Sequence, residues 1–144
     1  MSVRIVSIGS AAEIVKPRLL RRGDSLLTRE VDMQLEDRKE GNVVIIKVLD
    51  KRLDAQAANG FKDKLSGYIS SGSRLIVLNM SEVDFVDSSG LGAMVSVLKS
   101  LGEKGRLAIC GITDPVMRLF KLTRMNKVFS IFEEESEAIR ALSK

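Results

Sequence analysis

Between Val83 and Lys99 the chain reads Val-Asp-Phe-Val-Asp-Ser-Ser-Gly-Leu-Gly-Ala-Met-Val-Ser-Val-Leu-Lys, and its chemistry-bearing side chains crowd into Asp87-Ser88-Ser89. A carboxylate and two hydroxyls directly precede a run in which Leu91, Met94, Val95, Leu98 and Leu101 recur at helical spacing, so they stand at a helix entrance. The first N–H groups of a helix lack internal acceptors and its dipole is positive there, which makes the place hospitable to a phosphoryl group. Gly90 and Gly92 lower helix propensity in the first turn while clearing side-chain bulk beside the serines. Two readings follow. Ser88 or Ser89 caps the helix and the glycines let it pack closely, or a partner docks on an entrance kept open for it. Chemistry alone favours the first, because capping serines are commonplace.

The elements that must position this segment are legible around it. Leu75, Ile76, Val77 and Leu78 form the uninterrupted apolar run of a strand buried on both faces, Arg74 to Asn79, directly upstream. Earlier, Val31, Met33 and Leu35 alternate as a half-buried strand, Glu40-Gly41-Asn42 turns, and Val43 to Leu49 completes a hairpin. Asp54 is a fitting N-cap for a helix whose Ala57, Ala58, Phe61, Leu65, Tyr68 and Ile69 share a face and which ends near Ser71-Gly72. After the serine-led helix, Lys104-Gly105 is a stop and Arg106 to Cys110 a strand. Asp114-Pro115 pairs an N-cap with proline at the first position of a short helix reaching Leu122. Lys127 to Phe132 is expected to form a last strand, and Glu133-Glu134-Glu135 opens a final helix through Leu142, acids suiting its first turn. A hairpin followed by strand and helix repeats implies an α/β fold with a mixed sheet and helices packed on it.

Composition narrows the chemistry. The 144 residues contain no histidine, which removes histidine-based triads, histidine metal sites and the usual near-neutral proton switch. The single Cys110 has no internal disulfide partner and is expected to be a small buried residue. There is no Gly-x-x-x-x-Gly-Lys-Ser/Thr loop, and glycines at 90 and 92 do not match a dinucleotide fingerprint, so neither metal nor cofactor is expected in this chain. No apolar run approaches the ~20 residues of a membrane span. The residues after Arg4 are too polar for a secretory signal, so a cytoplasmic location is expected.

Net charge is +4, with six Lys and Arg against three acids in residues 1–30 and 17 against 16 in residues 31–144. The cluster Lys16, Arg18, Arg21 and Arg22 lacks interleaved aromatics, and Pro17 interrupts any helix there. Residues 1–30 are accordingly expected to be a basic, poorly structured extension without a direct nucleic-acid partner, and residues 31–144 the folded domain.

The segment Val86-Asp87-Ser88-Ser89-Gly90-Leu91-Gly92 resembles the signature of STAS domains, specifically of the bacterial anti-sigma factor antagonists. The strand before it, Arg106 to Cys110, and Asp114-Pro115-Val116-Met117-Arg118-Leu119-Phe120 follow in that family's order and spacing, from about Met33 to the C-terminus. The resemblance implies a four- to five-stranded mixed sheet with about four helices mainly on one side. By position it makes Ser88 the phosphoacceptor of a partner serine kinase that doubles as anti-sigma factor. ATP and magnesium would belong to that partner, and a serine phosphatase would reverse the modification, so this chain is expected to be a substrate and not an enzyme.

Asp54, Asp87, Ser88, Ser89, Gly90, Leu91 and Gly92 form the expected partner surface. Within it Ser89 is expected to be the helix cap or a second acceptor, and Asp87 to position the Ser88 hydroxyl or bond the turn. Lys51 stands where many family members have glycine before a basic residue and Leu-Asp, and Gln56 where a small hydroxyl residue is frequent, which bears on the kinase subfamily. The alternative function is a constitutive STAS scaffold, or a subunit of a signalling or lipid-transport assembly, with Ser88 merely structural.

Overall fold

The computed structural model describes residues 34–143 and the backbone of the strand Val3–Val6. In chain order the elements are β1 (Val3–Val6), β2 (Leu35–Glu40), β3 (Val43–Val48), β4 (Arg52–Leu53), α1 (Ala55–Ser70), β5 (Leu75–Asn79), β6 (Phe85–Val86), α2 (Ser88–Leu101), β7 (Arg106–Cys110), α3 (Asp114–Leu122), a 3-10 turn (Met125–Lys127), β8 (Ser130–Phe132) and α4 (Glu135–Ser143). The main sheet runs β1-β2-β3-β5-β7-β8, antiparallel through the first three strands and parallel thereafter. β4 and β6 make a separate two-stranded parallel ribbon.

The apolar run of β5 has its cause in two cores. Ile76 and Leu78 face α1, α2 and α3, packing with Phe61, Leu65, Met94, Val97 and Phe120. Val77 faces the other way, toward Ala138 and Leu142 of α4. Three helices therefore cover one face and α4 the other, which is the mixed sheet with helices mainly on one side that the resemblance implies.

Three boundaries differ from expectation. The first hairpin strand lies at Leu35–Glu40 and not at residues 31–35, of which 31–33 lie outside the described residues. Its inward positions are Leu35 and then Asp37, a carboxylate only 6% exposed, so apolar alternation stops just where the strand begins. Tyr68 of α1 donates its hydroxyl to Asp37, so the buried carboxyl has a hydrogen-bond partner. Thr113 is the residue preceding α3, leaving Asp114 as its first residue, and the Thr113 hydroxyl donates to the Val83 carbonyl at 2.9 Å. The last strand shortens to Ser130–Phe132 because residues 125–127 coil into the 3-10 turn.

Residues 35–132 supply five strands of the main sheet, and Val3–Val6, in the segment expected to be a poorly structured extension, adds a sixth against β2. Val3, Ile5 and Val6 are strand formers, and an open sheet edge offers N–H and C=O groups to pair with them. The rest of that segment lies outside the described residues.

α4 is tied to the sheet by Glu135, which accepts from Arg38 Nη2 of β2 at 2.6 Å and from Asn79 Nδ2 of β5 at 2.9 Å. Burial raises the Glu135 pKa, but Arg38, Asn79 and the field of Lys47 outweigh it and hold the carboxyl below its ordinary value. A carboxyl whose folded pKa is depressed adds stability above its unfolded pKa and loses it as pH falls through the folded one. Acid should therefore loosen α4. Glu135→Gln is expected to flatten the stability-against-pH curve between about pH 5 and pH 3, measured by urea midpoints.

Candidate functional site

The ribbon of β4 and β6 brings two helix entrances together. Arg52 pairs with Phe85 and Leu53 with Val86, and each strand passes through one aspartate into a helix, Asp54 into α1 and Asp87 into α2. Around the ribbon, Asp84 N donates to the Lys51 carbonyl at 2.9 Å and Asp87 N to the Leu53 carbonyl at 3.3 Å. The two helix N-termini thus open side by side on one surface.

Each aspartate caps its own helix. Asp54 Oδ1 accepts from Gln56 N at 3.2 Å and Ala57 N at 3.3 Å, while Oδ2 accepts from Arg52 Nε at 3.1 Å. The Arg52 guanidinium is the main reason that the Asp54 carboxyl sits below its ordinary pKa. Asp87 does more. Its Oδ1 accepts from Gly90 N at 3.0 Å, and its Oδ2 reaches across to accept from Ala55 N, the first residue of α1, at 3.2 Å.

One carboxylate therefore holds both helix entrances. Asp87→Ala is expected to cost about 2 kcal/mol in a urea titration, against about 1 kcal/mol for Asp54→Ala, because only the first removes a cap and the link between helices.

These bonds reassign the serines. Asp87 is the cap, where Ser89 was expected, and Ser88 and Ser89 are the first two residues inside α2. Both serine side chains are exposed, and neither hydroxyl makes a hydrogen bond among the described residues. The aspartate preceding them takes the Gly90 N–H, leaving the N–H groups of Ser88 and Ser89 without an acceptor among the described residues. That is the free positive end of a helix.

The two glycines separate in role. A Cβ on Gly90 would lie 2.0 Å from the Leu53 carbonyl oxygen, so the absence of a side chain is what lets α2 start against β4. A Cβ on Gly92 would meet nothing within 4 Å, so no packing inside the domain calls for glycine there. Of the seven residues expected at the partner surface, Ser88, Ser89 and Gly92 are exposed, Asp54 and Asp87 half-buried, and Gly90 and Leu91 buried beneath them.

Beside this surface the structure adds two residues that the sequence did not single out. Phe85 is 39% exposed, and the Arg52 guanidinium lies 4.1 Å over its ring. An exposed cation–aromatic pair beside the two helix entrances gives an otherwise polar surface an apolar patch. The available signal was a lone aromatic between Asp84 and Val86 in a chain that is 4% aromatic.

The geometry sets two helix entrances side by side with an exposed hydroxyl, that of Ser88, among them. The STAS domain family model matches residues 34–138, and the chain belongs to that family. It is 28% identical over 114 residues to the anti-sigma F factor antagonist of Paenibacillus polymyxa, covering 78% of this chain and 97% of that one. To the anti-sigma-B factor antagonist of Listeria monocytogenes it is 27% identical over 108 residues, 74% of this chain and 93% of the relative. Among solved structures it is similar to the anti-sigma factor antagonist SpoIIAA in its unphosphorylated form (TM-score 0.59, 27% identity, 77% of this chain and 97% of that one). The phosphorylated form of SpoIIAA from Bacillus matches with TM-score 0.57 at 25% identity, covering 76% and 97%. No helix among the described residues is long and apolar enough to cross a membrane.

Proposed function

We propose that this chain is an anti-sigma factor antagonist that works by partner switching in the cytoplasm. Unphosphorylated, it binds an anti-sigma factor that is also a serine kinase. The kinase holds ATP and magnesium and transfers the γ-phosphoryl group to Ser88 Oγ, with the hydroxyl proton passing to the kinase's base and ADP leaving. The modified chain dissociates, and a serine phosphatase restores it. The chain itself is a substrate, without catalytic residues.

The observation that carries this reading is the Ser88 hydroxyl, exposed and unbonded in the first turn of α2, while Asp87 satisfies the cap. A serine needed as a cap would have been engaged with the backbone. A phosphate at that position meets the positive helix end and the free N–H groups, so it is compatible with the fold. Toward a partner it adds about −1.5 to −2 charges beside Asp87, on a surface that must be desolvated to bind. The fold persists and the interface fails.

The test is affinity capture from a lysate of the native organism with wild type, Ser88→Ala and Ser88→Asp as baits. A serine kinase recovered by the first two and absent from the third is the expected result. Identical recoveries from all three, with no kinase among them, would refute it.

A further inference from the structure

We propose that a second site, at the opposite end of the sheet, binds a small phosphorylated molecule. It is a cleft of about 480 Å³ whose lining includes Lys39, Asn42, Ser71, Ser73, Arg74 and Lys104. That volume falls in the range of small-ligand sites, roughly 300–1,000 Å³. Three cations from three separate segments converge there, the β2–β3 hairpin, the approach to β5 and the approach to β7, and no carboxylate is part of the lining.

The cations have no competing partner among the described residues. Among the described residues Lys39 and Lys104 make no ion pair, and Arg74 makes only long contacts, its Nη1 donating to the carbonyls of Ile69 at 3.4 Å and Ser73 at 3.5 Å. The nearest acid in sequence to Lys39, Glu40, is taken by Arg38 at 3.3 Å. Glu103, next to Lys104, is exposed and outside the lining. Asn42 and Ser73 add neutral donors of the kind that orient phosphate oxygens once cations have attracted them, while the Ser71 hydroxyl donates to the Gly67 carbonyl at 2.8 Å.

Cations also gather near helix C-termini to offset the dipole, and α1 and α2 both end at this side, at Ser70 and Leu101. That accounts for Arg74 and Lys104 as charges. It does not account for Lys39, which comes from a β-hairpin, nor for a concave, hydroxyl-lined space between the three. The cleft is independent of the Ser88 surface: α2 separates them by about 20 Å at 1.5 Å per residue.

The experiment is titration of the full chain with pyrophosphate and with fructose 1,6-bisphosphate, followed by backbone amide NMR shifts. Saturable shifts confined to residues 39–44, 71–75 and 104–106 are expected, and Lys39→Glu/Lys104→Glu should weaken binding by about tenfold or more. A charge-matched control, Arg118→Glu/Lys121→Glu on the exposed side of α3, should stay within about twofold of wild type. Both pairs are exposed and their folded state is read from the same spectra. Equal weakening in the two doubles, non-saturable shifts, or shifts centred on Ser88 to Gly92 would each overturn the proposal.

Discussion

Ser88→Asp is expected to weaken binding of the captured kinase by about a hundredfold or more, about 2.7 kcal/mol, while leaving the thermal midpoint of the domain within about 2 °C of wild type. The two halves of that result have one cause seen from two sides. Within the domain, position 88 is the first residue of a helix whose own capping carboxylate is already in place, and an added negative charge there is neutral to slightly favourable, by about 0.3–1 kcal/mol. Against a partner, the same charge sits on an exposed surface beside Asp87 and across from the Asp54 cap, where closing an interface strips water from it. Ser88→Ala removes only an unbonded hydroxyl, so it should bind as wild type and resist release by ATP. Calorimetric titration and thermal unfolding of the same three proteins read both quantities. Loss of stability in Ser88→Asp matching the loss of affinity would mean that the serine is a structural element of the helix entrance.

The second large effect divides the glycine pair. Gly90→Ala places a carbon 2.0 Å from the Leu53 carbonyl oxygen, a backbone atom of the ribbon, so α2 must move off β4. Overpacking of this kind costs typically 1–3 kcal/mol, and a rigid neighbour puts it at the upper end, about 3 kcal/mol. That corresponds to a fall of roughly 6–12 °C in the thermal midpoint of a chain of this size. Gly92→Ala meets open space and replaces glycine inside a helix, so it should gain about 0.5–1 kcal/mol. Gly67 of α1 meets open space as well, so what distinguishes Gly92 is its place one turn from Ser88 and Ser89. If Gly92→Ala stabilises and still lowers kinase affinity, the glycine serves the interface. If both substitutions leave the midpoint where it was, the packing described at Leu53 is wrong.

Asp54 and Asp87 show how far sequence reasoning reaches here. Both are recognisable as helix-entrance residues from the apolar periodicity that follows them, and Asp54 caps where it was expected to. The bond from Ala55 N to Asp87 joins residues 32 apart in the chain, and no local pattern announces it. Ser89 was expected to cap because serine and aspartate are nearly equal caps, and two residues of register decide between them. The register is set by the β4–β6 ribbon, two residues per strand, too short to leave a periodic trace.

The strand β2 was displaced for a related reason. Its inward Asp37 breaks the apolar alternation, and the Tyr68 hydroxyl that donates to it comes from α1, 31 residues away. The five other main-sheet and core helix assignments rest on long apolar periods, β3, β5 and β7 among the strands and α1 and α2 among the helices, and these were readable because packing on the sheet dictates them directly.

The most direct measurement is phosphosite mapping by mass spectrometry after the chain is incubated with the captured kinase, ATP and magnesium. A single phosphoryl group on Ser88, absent from Ser88→Ala and unchanged in Ser89→Ala, is the predicted result. Modification of Ser89 with Ser88 untouched, or no modification of either serine by a kinase that binds the chain, would contradict it.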